Sequence, residues 1–196
     1  GSAGSSSHYN KQHDKHYYFD GGASDWLKGA GGPSLGYFHE LWKRHGMEFD
    51  GIWAYEGQTT KEDFYASVPE QHRNMVHYQQ IFIRSSPVVG EGPFGSGPFL
   101  PDEIQKVASK DDYVLFKLDI DSPGVEEGTL AHLVAPDNDS LEYIDEFFYE
   151  FHLMTQSNKE KLKRDQNVTL MYESLADWYG FFLFLRRAGV RAHAWI

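Results

Sequence analysis

The sequence predicts one α/β domain with a mostly parallel central sheet flanked by helices. Two observations carry this prediction. Short apolar, strand-like runs alternate along the chain with helix-like runs, the pattern left by successive βαβ units. Several of the strand-like runs also end in polar residues, and the carboxyl ends of strands in an open parallel sheet are where ligands bind. The chain has 196 residues, of which 40% are apolar and 16% aromatic, enough material to bury the core of one domain.

The first strand is read at His16–Phe19 and runs into Asp20-Gly21-Gly22-Ala23-Ser24, followed by a glycine-rich loop through Gly32-Pro33. Ser34 is placed as the N-cap of a helix carrying Tyr37, Phe38, Leu41, Trp42 and His45, stopped by Gly46. The second strand covers Phe49–Tyr55 and ends in Glu56. Thr60 caps a short helix that runs through Val68 and is closed by Pro69. The third strand spans Val76–Ile83, and the Gly/Pro-rich stretch Pro87–Pro98 is the longest expected loop. Pro101 opens a helix at a position where its missing N–H costs nothing, with Asp102 and Glu103 in the first turn. The fourth strand, Tyr113–Ile120, is an apolar run as expected for a strand buried on both faces. A helix at Val125–Val134 and a fifth strand at Ile144–Leu153 follow, then a polar surface loop at Ser157–Gln166. Ser174 caps a helix with Leu175, Trp178, Tyr179, Phe182 and Leu185 at helical spacing. Gly189 ends that helix, and Val190–Ile196 is the last strand.

Charge and composition exclude several function classes. The chain carries 29 acidic against 18 basic residues, a net charge of −11, so it repels phosphate backbones and nucleic acid is not the expected substrate. There is no cysteine, which removes disulfides, thiolate metal sites and a cysteine nucleophile. No apolar run approaches the roughly 20 residues of a membrane-spanning helix. The N-terminus lacks a secretory pattern, and the expected location is the cytoplasm. Residues 1–8, beginning with the GSAGSSS stretch Gly1–Ser7, read as a tag remnant or linker. Residues 9–196 read as the folded domain, excised from a longer protein.

The strand ends hold the candidate chemistry. Glycines after Asp20 allow a ligand to approach the backbone closely. An acid there, with no G-x-G-x-x-G fingerprint, argues against a dinucleotide pyrophosphate and for a cationic or hydroxyl-bearing ligand. Glu56 ends the second strand, where a carboxylate binds ribose hydroxyls. S-adenosylmethionine has an amine, a sulfonium and a ribose diol but no phosphate, and it suits this pair. The competing reading makes Asp20 a turn residue and Glu56 a surface acid. Strand alternation puts Asp119 and Asp121 on one face of strand four, and Glu150 and His152 on one face of strand five, if both strands persist that far. Such a group serves as a general base or holds a divalent cation. The competing reading is that Lys117 merely neutralises one of the carboxylates.

These segments resemble the motifs of the FkbM-type methyltransferases. Tyr17-Tyr18-Phe19-Asp20-Gly21-Gly22-Ala23-Ser24 is similar to their F-V-D-V-G-A-N, and Ile52-Trp53-Ala54-Tyr55-Glu56 to V-x-A-F-E-P. Phe116-Lys117-Leu118-Asp119-Ile120-Asp121, with Glu126 downstream, is similar to K-I-D-V-E-G-x-E, and Glu150-Phe151-His152 to E-x-H. Ser24 stands in place of the usual Asn, Gly57 of Pro, and Asp121-Ser122 of Glu-Gly. The resemblance implies a Rossmann-like class I methyltransferase fold over residues 9–196 and O-methylation by S-adenosylmethionine of a sugar hydroxyl on a glycan or glycoside. It also implies fusion to glycosyltransferase domains in a longer protein. Cofactor contacts are then expected from Asp20, Gly21, Gly22, Ala23, Ser24, Glu56, Lys117 and Asp119.

Methyl transfer requires the acceptor oxygen to be aligned and to lose its proton. His152 is the first candidate base, with Asp119 as base or as the group that orients it. The rival arrangement puts a divalent cation such as Mg on Asp119, Asp121 and Glu150, where it lowers the hydroxyl pKa. Trp26, Tyr37, Trp53, Tyr55 and Phe94 are candidate platforms for adenine or a sugar face, against the commoner role of core aromatics. Three other readings stand beside this one: a methyltransferase with a non-carbohydrate acceptor, a non-catalytic binding module on the same fold, and a nicotinamide-dependent oxidoreductase.

Overall fold

The computed structural model describes residues 13–27, 34–92, 94–150 and 174–195. Six strands form one sheet: β1 (His16–Gly21), β2 (Gly51–Glu56), β3 (Val76–Gln80), β4 (Tyr113–Leu118), β5 (Glu146–Glu150) and β6 (Arg191–Trp195). Their spatial order is β3-β2-β1-β4-β5-β6, and every neighbouring pair is parallel. The helices are α1 (Ser34–Arg44), α2 (Lys61–Ser67), α3 (Leu100–Val107), α4 (Pro123–Leu133) and α5 (Leu175–Arg187). This is the Rossmann-like α/β architecture expected from the sequence, and its strand order reverses direction between β1 and β4.

Alternation along each strand divides the core into two layers. Tyr17 and Phe19 of β1 join Val114, Phe116 and Leu118 of β4 against α3, α4 and α5. Tyr18 faces the other way and packs with Ile52, Ala54, Tyr113 and Leu115 against Leu35 and Phe38 of α1 and Phe64 of α2. β4, central and covered on both faces, is buried at every residue.

Local signals set several helix ends where they were expected. The Thr60 hydroxyl accepts from the Asp63 N–H at the start of α2. Ser174 and Asp177 form a reciprocal capping box on α5. Gly46 and Gly189, at φ +78° and +103°, follow the ends of α1 and α5.

Three expectations need correction. β3 ends at Gln80, so Ile81, Phe82 and Ile83 lie outside the sheet. β4 ends at Leu118, because Asp121 takes φ +52° and the Ile120 N–H is captured by Oε1 of buried Glu126 at 3.0 Å. Phe181 completes the buried face of α5 with Trp178 and Leu185, whereas Leu175 and Tyr179 are exposed. Among the described residues no helix is long and apolar enough to cross a membrane.

Candidate functional site

A cavity of about 370 Å³ opens at the carboxyl ends of β1, β2, β3 and β4, beside the point where the strand order reverses. That size lies within the range of roughly 300–1,000 Å³ typical of small-molecule sites. Its polar lining includes Ser24, Glu56, Asp119 and Asp121, and its apolar wall is Ile81, Phe82, Ile83 and Phe94. Phe82 and Phe94 stack with ring centroids 4.6 Å apart. No lysine or arginine is among the described residues that line it. Glu56 is held at the end of β2 by accepting from the Gln58 N–H at 2.7 Å.

Gly22 brings the β1 and β4 ends together. Its φ is +102°, and a Cβ there would lie 1.6 Å from the Asp119 carbonyl oxygen. The Asp119 N–H donates to the Gly21 carbonyl at 2.9 Å, so the two chain ends are bonded as well as close-packed. The need for glycine at position 22 thus comes from the protein's own backbone.

Beside the cavity lies a buried ionic cluster. Lys117 Nζ is 2.8 Å from Asp119 Oδ2 and 3.6 Å from Asp20 Oδ1. The Tyr18 hydroxyl donates to the other Asp20 oxygen at 2.6 Å. Asp20 and Lys117 are 0% and 2% exposed, so neither presents a surface to a ligand. Burial opposes the lysine's charge, but the neighbouring Asp20 and Asp119 outweigh it and hold the Lys117 pKa above its ordinary value. One positive charge is therefore fixed between two carboxylates at the base of strands one and four's shared end.

Asp119, Asp121 and Glu150 each bring a carboxylate oxygen within 4.8 Å of the others. Strand alternation does not produce this meeting, because β4 has already ended. The left-handed turn at Asp121 comes two residues after Asp119, while Glu150 comes from the end of β5. Hard divalent cations bind carboxylate oxygens, so this donor set fits a magnesium-like ion, with Lys117 as the competing positive charge on Asp119.

Of the expected cofactor contacts, Gly22, Ser24, Glu56 and Asp119 line the cavity. Asp20, Gly21, Ala23 and Lys117 do not. Ala23 is in the core, and a Cβ on Gly21 would meet Leu100 Cδ1 at 2.8 Å. His152 and the loop at Ser157–Gln166 lie outside the described residues. Among the aromatic candidates, Tyr55 and Phe94 line the cavity. The buried Tyr55 hydroxyl stays protonated, pushed far up by burial and then by Glu103. Trp53 stacks between Phe19 and His77, Trp26 packs on His72, and Tyr37 is half exposed. The apolar wall of Ile81, Phe82 and Ile83 was not foreseen as part of a site. Its only signal was an apolar run, which reads equally well as strand. No family model, curated protein or solved structure matches the chain.

Proposed function

We propose that this chain is an S-adenosylmethionine-dependent O-methyltransferase acting on a sugar hydroxyl of a glycan or glycoside. The observation that carries the reading is the cavity's chemistry: Glu56, Asp119 and Asp121 together with an apolar aromatic wall, and no basic residue among the described residues that line it. Among those residues, a dinucleotide pyrophosphate would meet only like charge. A ligand with a cationic end, a ribose diol and a flat base meets complementary groups throughout.

Glu56 would accept from the ribose hydroxyls, and the slot bordered by Phe82 and Phe94 would hold the adenine face. Asp119 and Asp121 would face the cationic end, with Lys117 holding Asp119 in place from behind. When bound, the cofactor supplies a methyl carbon already activated by its sulfonium. The protein's part is to align the acceptor oxygen and take its proton. His152 is the proposed base and Asp119 the group that assists it. In the metal-assisted version, Asp119, Asp121 and Glu150 would hold a magnesium-like ion that lowers the acceptor's pKa. The order of the four motif-like segments along the chain, which resembles that of the FkbM-type methyltransferases, supports the same reading.

The test is calorimetric titration of the purified chain with S-adenosylmethionine and with its demethylated product, each with and without magnesium. Micromolar binding of both is expected, and a metal-dependent change would support the metal-assisted version. Failure of both compounds to bind would overturn the reading in favour of a non-catalytic binding module.

A further inference from the structure

A second group of ligand-bearing side chains lies on the α1 side of the sheet, and none of its members lines the acidic cavity. His39, in the middle of α1, is 4% exposed. Both of its ring nitrogens are buried, and neither has a hydrogen-bond partner among the described residues. A neutral imidazole has one N–H to donate and one lone pair to fill, so a buried ring with neither satisfied carries two desolvation penalties. Unsatisfied buried groups of this kind point to a missing water or ion.

The neighbours of His39 favour an ion. His72, on the short 3-10 turn Glu70–Met75, faces it edge-on with ring centroids 4.3 Å apart. Glu40 is next in sequence. One ligand atom from each of His39, Glu40 and His72 lies within 4.8 Å of the others. Trp26 closes one side by stacking on His72 at 5.4 Å and packing against His39 at 5.7 Å.

We propose that His39, Glu40 and His72 bind a zinc-class divalent ion. Two imidazole nitrogens and one carboxylate oxygen are a donor set for borderline metals, not for magnesium or calcium, which prefer oxygen throughout. Three protein ligands leave a fourth position for water. The site joins α1 to the turn leading into β3, and it sits under Trp26, two residues after cavity-lining Ser24. The ion would therefore pin the segment that leaves β1. The proposal is independent of methyl transfer.

The experiment is zinc titration of the chelator-treated chain by calorimetry, with magnesium as the comparison ion and cobalt absorption as a spectroscopic check. The chain has ten histidines, so variants must locate the site. Wild type is expected to bind one equivalent of zinc at micromolar or tighter affinity, to melt at a higher temperature when loaded, and to ignore magnesium at this site. Glu40→Gln and His72→Gln change exposed and half-buried positions, and each should weaken zinc at least tenfold with the metal-free melting temperature kept. His39→Phe should abolish binding while filling the same space. Absence of stoichiometric zinc binding would overturn the proposal. So would binding that is unchanged in Glu40→Gln and His72→Gln, or binding that is lost instead in Asp121→Asn.

Discussion

Lys117 Nζ lies 2.8 Å from an oxygen of Asp119, two residues further along the same chain and just past the end of β4. The lysine is 2% exposed and also faces Asp20 from β1 at 3.6 Å. The bond couples the buried cluster beside the cavity to a residue that lines the cavity.

Removing the lysine charge should be costly. Lys117→Met leaves Asp20 and Asp119 buried without the cation between them, and breaking a buried pair costs about 3–5 kcal/mol. Urea denaturation should show this loss. A change below about 1 kcal/mol, the range of an exposed pair, would mean the cluster is solvated.

Glu56 and Asp20 should separate binding from stability. Glu56→Gln, at the half-buried end of β2, is expected to weaken S-adenosylmethionine about 10- to 100-fold, the worth of a charge-assisted hydrogen bond, with the melting temperature kept. Asp20→Asn, in the fully buried cluster, should lower the melting temperature. Equal cofactor affinity in wild type and Glu56→Gln would remove Glu56 from the ribose position.

For turnover, His152→Ala and Asp119→Asn are expected to slow methylation of a sugar acceptor by roughly 10²–10⁴-fold, the usual contribution of a general base. Cofactor affinity should change far less in His152→Ala. A normal rate in both variants would show that proton removal lies elsewhere.

Two glycines with positive φ give a matched comparison. Gly46 has nothing within 4 Å of an added Cβ among the described residues, so Gly46→Ala should cost only the conformational term, about 1–2 kcal/mol. Gly22→Ala also drives its Cβ onto the Asp119 carbonyl, and should exceed the Gly46 cost by about 1–3 kcal/mol. Chemical denaturation of both variants tests whether the β1–β4 junction is as tight as described.

At the opposite end of the sheet, Glu146 accepts from the Tyr113 hydroxyl at 2.6 Å, His193 at 2.8 Å and Arg191 at 3.1 Å. Burial would raise its pKa, but the bonds from His193 and Tyr113 and the charge of Arg191 outweigh it, and the folded value falls below the ordinary 4.5. A carboxyl depressed in this way contributes stability that is complete above about pH 4.5 and is lost as the pH falls through the folded value. Glu146→Gln should therefore be about 1–3 kcal/mol less stable than wild type at pH 7, and the gap should narrow below pH 4.5. Parallel stability–pH curves for the two proteins would contradict this.

The sequence by itself determined the α/β class, the presence of the strands though not the ends of β3 and β4, and the helix starts at Thr60 and Ser174, because alternation and capping are signals carried by neighbouring residues. It also marked Glu56 and Asp119 as strand-end acids, and both line the cavity. Only the tertiary structure decided which residues share a wall. The all-parallel order sets β1 beside β4 although β2 and β3 lie between them in the chain, and that puts Asp20 beside Lys117. The left-handed turn at Asp121 cuts β4 short and brings Asp119 and Asp121 to Glu150 by a route that alternation does not describe. The meeting of His39 with His72, 33 residues later, has no local signature either. Such pairings come from long-range packing of helices on a sheet, whose spacing the chain acquires only once it is folded.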